Sequence, residues 1–186
     1  MKRLAIFVSG SGTNCENIIR YFKDSTEVET VLVLSNRADA YALVRAERLG
    51  IPTEIVPKKE FMDEHVLLPL LARYEVTHII LAGFLLVVPP FLINQYDHKI
   101  INLHPALLPK YGGRGMYGHH VHEAVKAAGE KETGITIHYV NEVCDGGDII
   151  RQFRVVLTPE DTVEDVEAKI HVLEQSHFPQ VIEETI

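Results

Sequence analysis

The chain has 186 residues, of which 46% are hydrophobic, and its 18 basic and 26 acidic side chains give a net charge of −8. This length suits one domain, residues 1–186, with a single core. The acidic balance argues against a nucleic-acid partner, which needs clustered Lys and Arg. No apolar run approaches the roughly 20 residues of a membrane span. The two cysteines lie far apart and form no metal-binding pair, so we expect a cytoplasmic protein with no metal or membrane partner.

Predicted strands and helices alternate through the first half of the chain. Continuous apolar runs at Leu4–Val8 and Val31–Leu34 predict strands that are buried on both faces. The other predicted elements are helices from Asn14, over Ala38–Leu49 and over Glu60–Tyr74, and strands at Thr53–Val56 and Thr77–Ala82. This alternation predicts an α/β fold with a doubly wound, Rossmann-like, mostly parallel sheet. Ligands of such sheets bind beyond the carboxyl ends of the strands.

The second half has a different pattern. Gly134–Val140 alternates between apolar and polar residues, and Ile149–Leu157 is also typical of a strand. The loop between them, Asn141–Asp148, is too short for a parallel crossover, so we expect an antiparallel strand pair. Thr162–Asp165 resembles a capping box that opens the last helix, and Pro179 predicts a kink or a restart of that helix.

The stretch Asn102–Gly113 carries the first candidate site. It follows the strand-like residues Lys99–Ile101, and side chains at i and i+2 of a strand project from the same face. The carboxamide of Asn102 and the imidazole of His104 should therefore point together from the end of a strand. Pro105 restricts His104 to an extended backbone. A proline-stiffened turn is the alternative, and this stretch alone leaves it open.

A second candidate is Ser9–Asn14, which joins a buried strand to a helix. Backbone amides at a helix N-terminus form a ready anion site, and Gly10 and Gly12 allow close approach of a ligand. Cys15 stands where a dinucleotide fingerprint has its third glycine, and no Walker A lysine follows. A single phosphate therefore fits better than a pyrophosphate. The alternative is a plain tight turn.

Three further stretches each have an ordinary structural explanation. Asp145 lies in a glycine-rich turn, although its carboxylate could approach an imidazole from there. The histidines of His119–His122, at the start of a predicted helix over His119–Ala128, lack the i, i+4 spacing of helical metal ligands, which favours a solvated helix start. The apolar residues Phe84–Val88 fit either the core or the wall of a pocket for a flat ring.

Five motifs then carry a resemblance. In chain order they are Ser9-Gly-Ser-Gly-Thr-Asn14, Leu81-Ala-Gly-Phe84, Asn102-Leu-His-Pro-Ala-Leu-Leu-Pro-Lys-Tyr111, Gly134-Ile-Thr-Ile-His138 and Asp145-Gly-Gly147. Over nearly its whole length the chain resembles the phosphoribosylglycinamide formyltransferases, a family that uses 10-formyltetrahydrofolate. The resemblance implies formyl transfer from that folate to the amine of 5-phosphoribosylglycinamide in purine biosynthesis. It implies small-molecule substrates, no metal and a monomer or homodimer.

The resemblance also implies roles for individual residues. The implied catalytic residues are Asn102, His104 and Asp145. Those implied for the phosphoribosylglycinamide site are Gly10, Ser11, Gly12, Thr13, Asn14 and Glu174. Those implied for folate are Phe84, Leu85, Leu86, Val87, Val88, Asn102, Val140, Asn141, Cys144 and Asp145. The chain departs from the family at Leu86, where relatives often carry arginine, and by the extra residues Arg114–Gly118. We expect Gly146 to set the shape of the folate loop.

These residue types suit the implied chemistry. Attack of an amine on a formyl carbon gives an oxyanion, to which Asn102 and a protonated His104 can donate. Asp145, with a water, can relay protons. A carboxylate beside His104 predicts a pKa of that imidazole above about 6.5. The alternatives are a formyltransferase acting on methionyl-tRNA or a nucleotide sugar, a formyl-folate hydrolase, and a non-catalytic module that binds a nucleotide through Ser9–Asn14.

Overall fold

A computed structural model describes residues Met1–Ile186. Its strands are β1 (Lys2–Val8), β2 (Val28–Ser35), β3 (Thr53–Ile55), β4 (His78–Leu81), β5 (Ile100–His104), β6 (Glu132–Tyr139) and β7 (Ile149–Val156). Its helices are α1 (Thr13–Tyr21), α2 (Tyr41–Arg48), α3 (Lys58–Phe61), α4 (Glu64–Arg73), α5 (Pro90–Gln95), α6 (His119–Ala127) and α7 (Val163–Thr185).

The strands form one seven-stranded sheet in the order β3-β2-β1-β4-β5-β6-β7. Strand β1 pairs in parallel with β2 and β4, and β2 pairs in parallel with β3. Strands β6 and β7 are antiparallel, with Ile135 opposite Phe153 and Ile137 opposite Arg151. The predicted mostly parallel sheet with an antiparallel pair in the second half is therefore confirmed.

The chain divides into two compact units. The first unit comprises Met1–Ile101 with Ile186, and the second comprises Asn102–Thr185. The expectation of one functional domain over the whole chain stays a prediction. None of the seven helices combines the length and apolarity that a membrane span requires, and this includes the 23-residue α7.

The core of the first unit forms around β1. Residues Leu4–Val8 are fully buried, as their continuous apolar run predicts. The ring of Phe7 lies 5.9 Å from that of Phe61 and 5.4 Å from that of Phe84. The helix predicted over Glu60–Tyr74 is two helices instead, because Asp63 accepts a hydrogen bond from the His65 amide and starts α4.

The second unit packs α6 and α7 with the antiparallel pair. Its central buried residues are Ala106, Val121, Val125, Leu157 and Val166. The predicted capping box is present: the Asp165 amide donates to Thr162 Oγ1, and the Thr162 amide donates to Asp165 Oδ2. The predicted restart at Pro179 is wrong, since α7 is one helix. Buried Phe178 and Ile182 on either side of the proline stabilise the helix through packing.

Candidate active site

The second unit brings Asn102, His104 and Asp145 together. Asp145 Oδ2 lies 3.5 Å from His104 Nδ1, and its Oδ1 lies 3.6 Å from His138 Nε2. The carboxamide Nδ2 of Asn102 donates to the same His138 Nε2 over 3.1 Å. The four side chains thus form a continuous array, Asn102–His138–Asp145–His104, which we call the polar array. The two rings in it are almost completely buried.

The imidazole of His104 is fixed by a backbone acceptor. Its Nε2–H donates to the carbonyl oxygen of Tyr111 over 2.7 Å, so the neutral ring has its lone pair on Nδ1, facing Asp145. Burial lowers the pKa of His104 below its ordinary value, although Asp145 and the Tyr111 carbonyl oppose that shift. The prediction of a raised pKa is therefore wrong. Loss of hydration destabilises the imidazolium more than a carboxylate 3.5 Å away stabilises it.

The carboxylate of Asp145 has three neighbours that favour its charged form. Burial would raise its pKa, but the ring of His138, the ring of His104 and the amide of Gly113 hold the pKa below the ordinary value. The Gly113 amide donates to Asp145 Oδ2 over 2.9 Å. Gly113, the last residue of the Asn102–Gly113 stretch, thus supplies a hydrogen-bond donor to the carboxylate. At neutral pH the array holds a carboxylate beside a neutral imidazole.

The loop after His104 is held by a small buried network. The hydroxyl of Thr136 donates to Ala106 O over 2.7 Å and accepts from the Leu108 amide over 3.0 Å. Gln152 Nε2 donates both to Leu108 O and to Thr136 Oγ1, each over 2.9 Å. Strands β6 and β7 therefore fix the backbone that carries His104.

Sequence reasoning did not assign His138 to the site. Its Nδ1–H donates to Tyr139 O over 2.8 Å, which leaves Nε2 as the acceptor for Asn102. This contact fixes the rotation of the Asn102 carboxamide. The alternation of β6 could have indicated His138, since Thr136 and His138 lie two residues apart and share one face of the strand.

The first unit contains the predicted anion site, residues Gly10–Asn14, which we call the anion loop. Gly12 is the N-cap of α1, with a φ of 77° that favours glycine. A Cβ at Gly12 would lie 2.3 Å from Ala42 Cβ, so the loop packs directly on α2. Ser9 Oγ donates to Asn36 Oδ1 over 2.6 Å and accepts from the Leu85 amide over 2.9 Å. The loop therefore lies at the carboxyl ends of β1, β2 and β4, where ligands of such sheets bind.

The two segments predicted for folate contain exposed apolar side chains. In Phe84–Val88, Leu85 and Val87 are each about half exposed, while Phe84 packs on the rings described above. In Val140–Asp145, Val143 is 65% exposed and the Asn141 side chain accepts the Val143 amide. Apolar surface of this kind suits a ligand with a flat ring.

The remaining predicted residues differ in their surroundings. The Glu174 side chain is only 14% exposed and lies 3.6 Å from His171, so it is not a solvated residue of the α7 surface.

The histidines at the start of α6 differ in exposure. His119 and His120 are exposed; His119 contacts Glu167, and His120 contacts Glu123. His122 contradicts the expectation of a solvated helix start, because it shares a helix face with Val125 and is 4% exposed. No three His, Cys, Asp or Glu side chains are grouped as metal ligands.

Neither cysteine is a thiolate nucleophile. Burial raises the pKa of the Cys15 thiol to about 12. Cys144 is exposed, but partial burial and the neighbouring Asp145 raise its pKa as well. A thiol acts as a nucleophile through its thiolate form, so a mechanism without a covalent cysteine intermediate fits this chain.

The loop that carries Asp145 is constrained most tightly at Gly147. A Cβ there would lie 1.7 Å from the Tyr139 carbonyl oxygen, whereas at Gly146 it would meet only the Val143 side chain at 2.6 Å and carbonyl oxygen at 3.3 Å. We expect Gly147→Ala to displace Asp145 and to lower the rate of the formyl transfer expected from the resemblance by roughly 10- to 100-fold. Steady-state kinetics of the purified variant check this result.

The matched control is Asp148→Ala, because Asp148 follows Gly147 in the same loop and its side chain is exposed. We expect this variant to stay within about threefold of the wild-type rate, because removing an exposed side chain brings no new atom against the backbone. A wild-type rate for Gly147→Ala would contradict the assignment of Gly147 as the position that holds the loop. Thermal unfolding of each variant shows whether the fold is retained.

Comparison with known proteins agrees with this architecture. Residues 2–182 match the formyl transferase family. A phosphoribosylglycinamide formyltransferase of Haemophilus influenzae is 37% identical over 98% of this chain and 86% of that protein. The crystal structure of the enzyme of that name from Streptococcus pneumoniae is 35% identical, covers 98% of both chains and has a TM-score of 0.86. The one from Bacillus halodurans is 34% identical, covers 98% of this chain and 94% of that one, and has a TM-score of 0.89. This chain belongs to the formyl transferase family.

Proposed function

We propose that this chain transfers the formyl group of 10-formyltetrahydrofolate to the amine of 5-phosphoribosylglycinamide. The products are formyl-phosphoribosylglycinamide and tetrahydrofolate, and the reaction is a step of purine biosynthesis. The observation that carries the proposal is the polar array Asn102–His138–Asp145–His104, present in a member of the formyl transferase family. The relatives named phosphoribosylglycinamide formyltransferase, which match over nearly the whole chain, support the choice of acceptor.

The chemistry of the transfer suits the array. The amine nitrogen forms a bond to the formyl carbon, the bond from that carbon to the folate nitrogen breaks, and one proton passes from the amine to the departing nitrogen. Attack places negative charge on the formyl oxygen. In our proposal Asn102 Nδ2 donates to that oxyanion, since His138 orients the carboxamide and uses only one of its two N–H bonds.

The proposal also includes a path for the proton. His104 carries its proton on Nε2, which donates to Tyr111 O, so the lone pair on Nδ1 is the site that receives a proton from the attacking amine. The imidazolium then faces the Asp145 carboxylate, which stabilises it. From Nδ1, directly or through a water, the proton reaches the folate nitrogen. This role replaces the expectation of a permanently protonated His104.

The binding residues complete the proposal. In this proposal the anion loop, with a helix N-terminus behind it, takes the phosphate of the acceptor. The family resemblance assigns Glu174 to the same substrate. For the folate, the first unit offers the exposed apolar side chains of Phe84–Val88, and the second unit offers that of Val143 in Val140–Asp145. We expect the chain to act in the cytoplasm as a monomer or homodimer, on small molecules only.

Incubation of the purified chain with 10-formyltetrahydrofolate and phosphoribosylglycinamide tests the proposal. We expect equal amounts of formyl-phosphoribosylglycinamide and tetrahydrofolate by mass spectrometry, and much less of both in Asp145→Asn. Parallel reactions contain methionyl-tRNA, a nucleotide amino sugar, or no acceptor. Formyl transfer to one of those acceptors, or release of formate without an acceptor, would identify a different formyltransferase or a hydrolase. Binding of both ligands without any product would identify a non-catalytic module.

A further inference from the structure

The anion loop has three successive carbonyl groups whose directions are fixed. Gly10 O accepts from the Ala42 amide over 3.1 Å, and Gly12 O accepts from the Glu16 amide over 2.9 Å. Between them, Ser11 O accepts from Arg45 Nε over 2.8 Å. In a trans peptide the C=O and the following N–H point in opposite directions. The amides that follow these carbonyls are therefore directed away from the groups that hold the carbonyls.

Arg45 holds the one carbonyl of the three that has a side-chain donor. The peptide that joins Ser11 to Gly12 carries the Gly12 amide, and its orientation depends on the rotation about the Gly12 backbone. Glycine populates positive and negative φ almost equally, so sequence alone does not fix the φ of 77° found at Gly12. The hydrogen bond from Arg45 to Ser11 O restricts the φ of Gly12, because rotation of the Ser11–Gly12 peptide would break that bond.

The surroundings of Arg45 hold its guanidinium in one position. Its guanidinium forms an ion pair with Glu16 and lies 5.0 Å from the centre of the Tyr41 ring. Glu16 also pairs with Arg20, so it offsets only part of the positive charge, and the side chains of Arg45 and Glu16 are each less than one third exposed. The guanidinium is thus a donor held in one position, which suits orientation of a backbone group.

We propose that Arg45 is a positioning residue for phosphate binding. It fixes the Ser11–Gly12 peptide so that the Gly12 amide is directed at the anion, and Glu16 and Tyr41 hold Arg45 for that purpose. This inference rests on the proposed function for the identity of the phosphorylated substrate. The presence of an oriented anion loop does not depend on that identity.

The test compares Arg45→Lys and Arg45→Met with Arg20→Met. Arg20 is the matched control, because it also pairs with Glu16 but makes no hydrogen bond to the anion loop. We expect both Arg45 variants to bind phosphoribosylglycinamide roughly 10- to 100-fold more weakly, the effect of losing one charge-assisted hydrogen bond. Binding of the dephosphorylated glycinamide riboside, the KM for folate and kcat should change little. Arg20→Met should bind both acceptors as the wild type does.

The lysine variant distinguishes orientation from charge, because it keeps the charge but loses the Nε–H that contacts Ser11 O. Wild-type phosphate affinity in Arg45→Lys would overturn the proposal in favour of a direct charge effect. Equal losses for phosphorylated and dephosphorylated acceptors would also overturn it, in favour of a general structural role. Thermal unfolding identifies any variant that does not fold, and the other variant then decides.

A second probe separates this inference from the proposed function. We expect the anion loop to bind inorganic phosphate whatever the acceptor is, so isothermal titration with phosphate should show the same weakening in both Arg45 variants. If the wild type transfers no formyl group but Arg45→Met still loses phosphate affinity, the proposed function fails and the role of Arg45 stands. If the wild type is active and the Arg45 variants bind phosphate normally, the role of Arg45 fails alone.

Discussion

Replacing Asp145 with asparagine is expected to lower the turnover number by roughly 10²- to 10⁴-fold, with little change in the binding of either substrate. The substitution removes the charge that stabilises an imidazolium at His104, so His104 becomes a weaker acceptor for the proton of the attacking amine. Asparagine suits this test because Asp145 has a φ of 54°, and asparagine tolerates that conformation better than alanine does. Its Oδ1 can still accept the Gly113 amide.

A double-mutant cycle with His104→Ala extends this prediction. We expect His104→Ala to cost about as much as Asp145→Asn, roughly 10² to 10⁴, and the double variant to cost far less than the product of the two. The reason is that both residues serve one proton transfer, across the 3.5 Å between His104 Nδ1 and Asp145 Oδ2. Turnover at saturating substrates, measured for all four proteins, checks the cycle.

Two further measurements test this interpretation. Asp148→Asn is the matched control, since Asp148 lies in the same loop, is exposed and has no side-chain contact with the array. The turnover number of Asp148→Asn should stay near that of the wild type. NMR titration should place the pKa of His104 below about 6.5 in the wild type and lower still in Asp145→Asn, because the carboxylate opposes the effect of burial. Costs that simply multiply, or a His104 pKa above 6.5 in the wild type, would contradict the assignment.

Local patterns predicted the parts of the fold that depend on local physics. The apolar run Leu4–Val8 specified a buried strand, and Thr162–Asp165 specified the start of α7. The short loop Asn141–Asp148 correctly required an antiparallel pair. Predictions were wrong where tertiary packing decides the outcome. Helix α7 continues through Pro179 because the residues beside it are buried, and no local signal reports that burial.

The candidate site divides in the same way. The spacing of Asn102 and His104 was visible on a single strand, and the structure brings both into one array with Asp145. The pKa of His104 was mispredicted because a charged neighbour can be guessed from sequence, whereas the depth of burial cannot. Arg45 was missed because its partner, the Ser11 carbonyl, is 34 residues away and is a backbone atom. Contacts with distant backbone atoms leave no pattern in residue types.

Replacing Asn102 with alanine is expected to lower the turnover number by about 10²- to 10³-fold, the usual effect of removing one oxyanion donor. Asn102 Nδ2 has one N–H bond directed at His138 Nε2, and the proposed mechanism gives the other to the formyl oxygen. Because that bond strengthens only as negative charge develops, the loss should appear in kcat with the KM values nearly unchanged. Steady-state kinetics in both substrates measure this separation.

Two further variants decide how Asn102 acts. Asn102→Asp keeps the shape but replaces the donor with a negative charge beside Asp145, so its turnover should be at least as low as that of Asn102→Ala. His138→Leu leaves the donor in place but removes the Nε2 atom that orients it at 3.1 Å, and we expect a smaller loss, roughly 10- to 100-fold. If His138→Leu adds its full cost on top of Asn102→Ala, His138 acts independently of the carboxamide. If Asn102→Asp retains most of the wild-type turnover, no donor is needed at this position and the oxyanion is stabilised elsewhere.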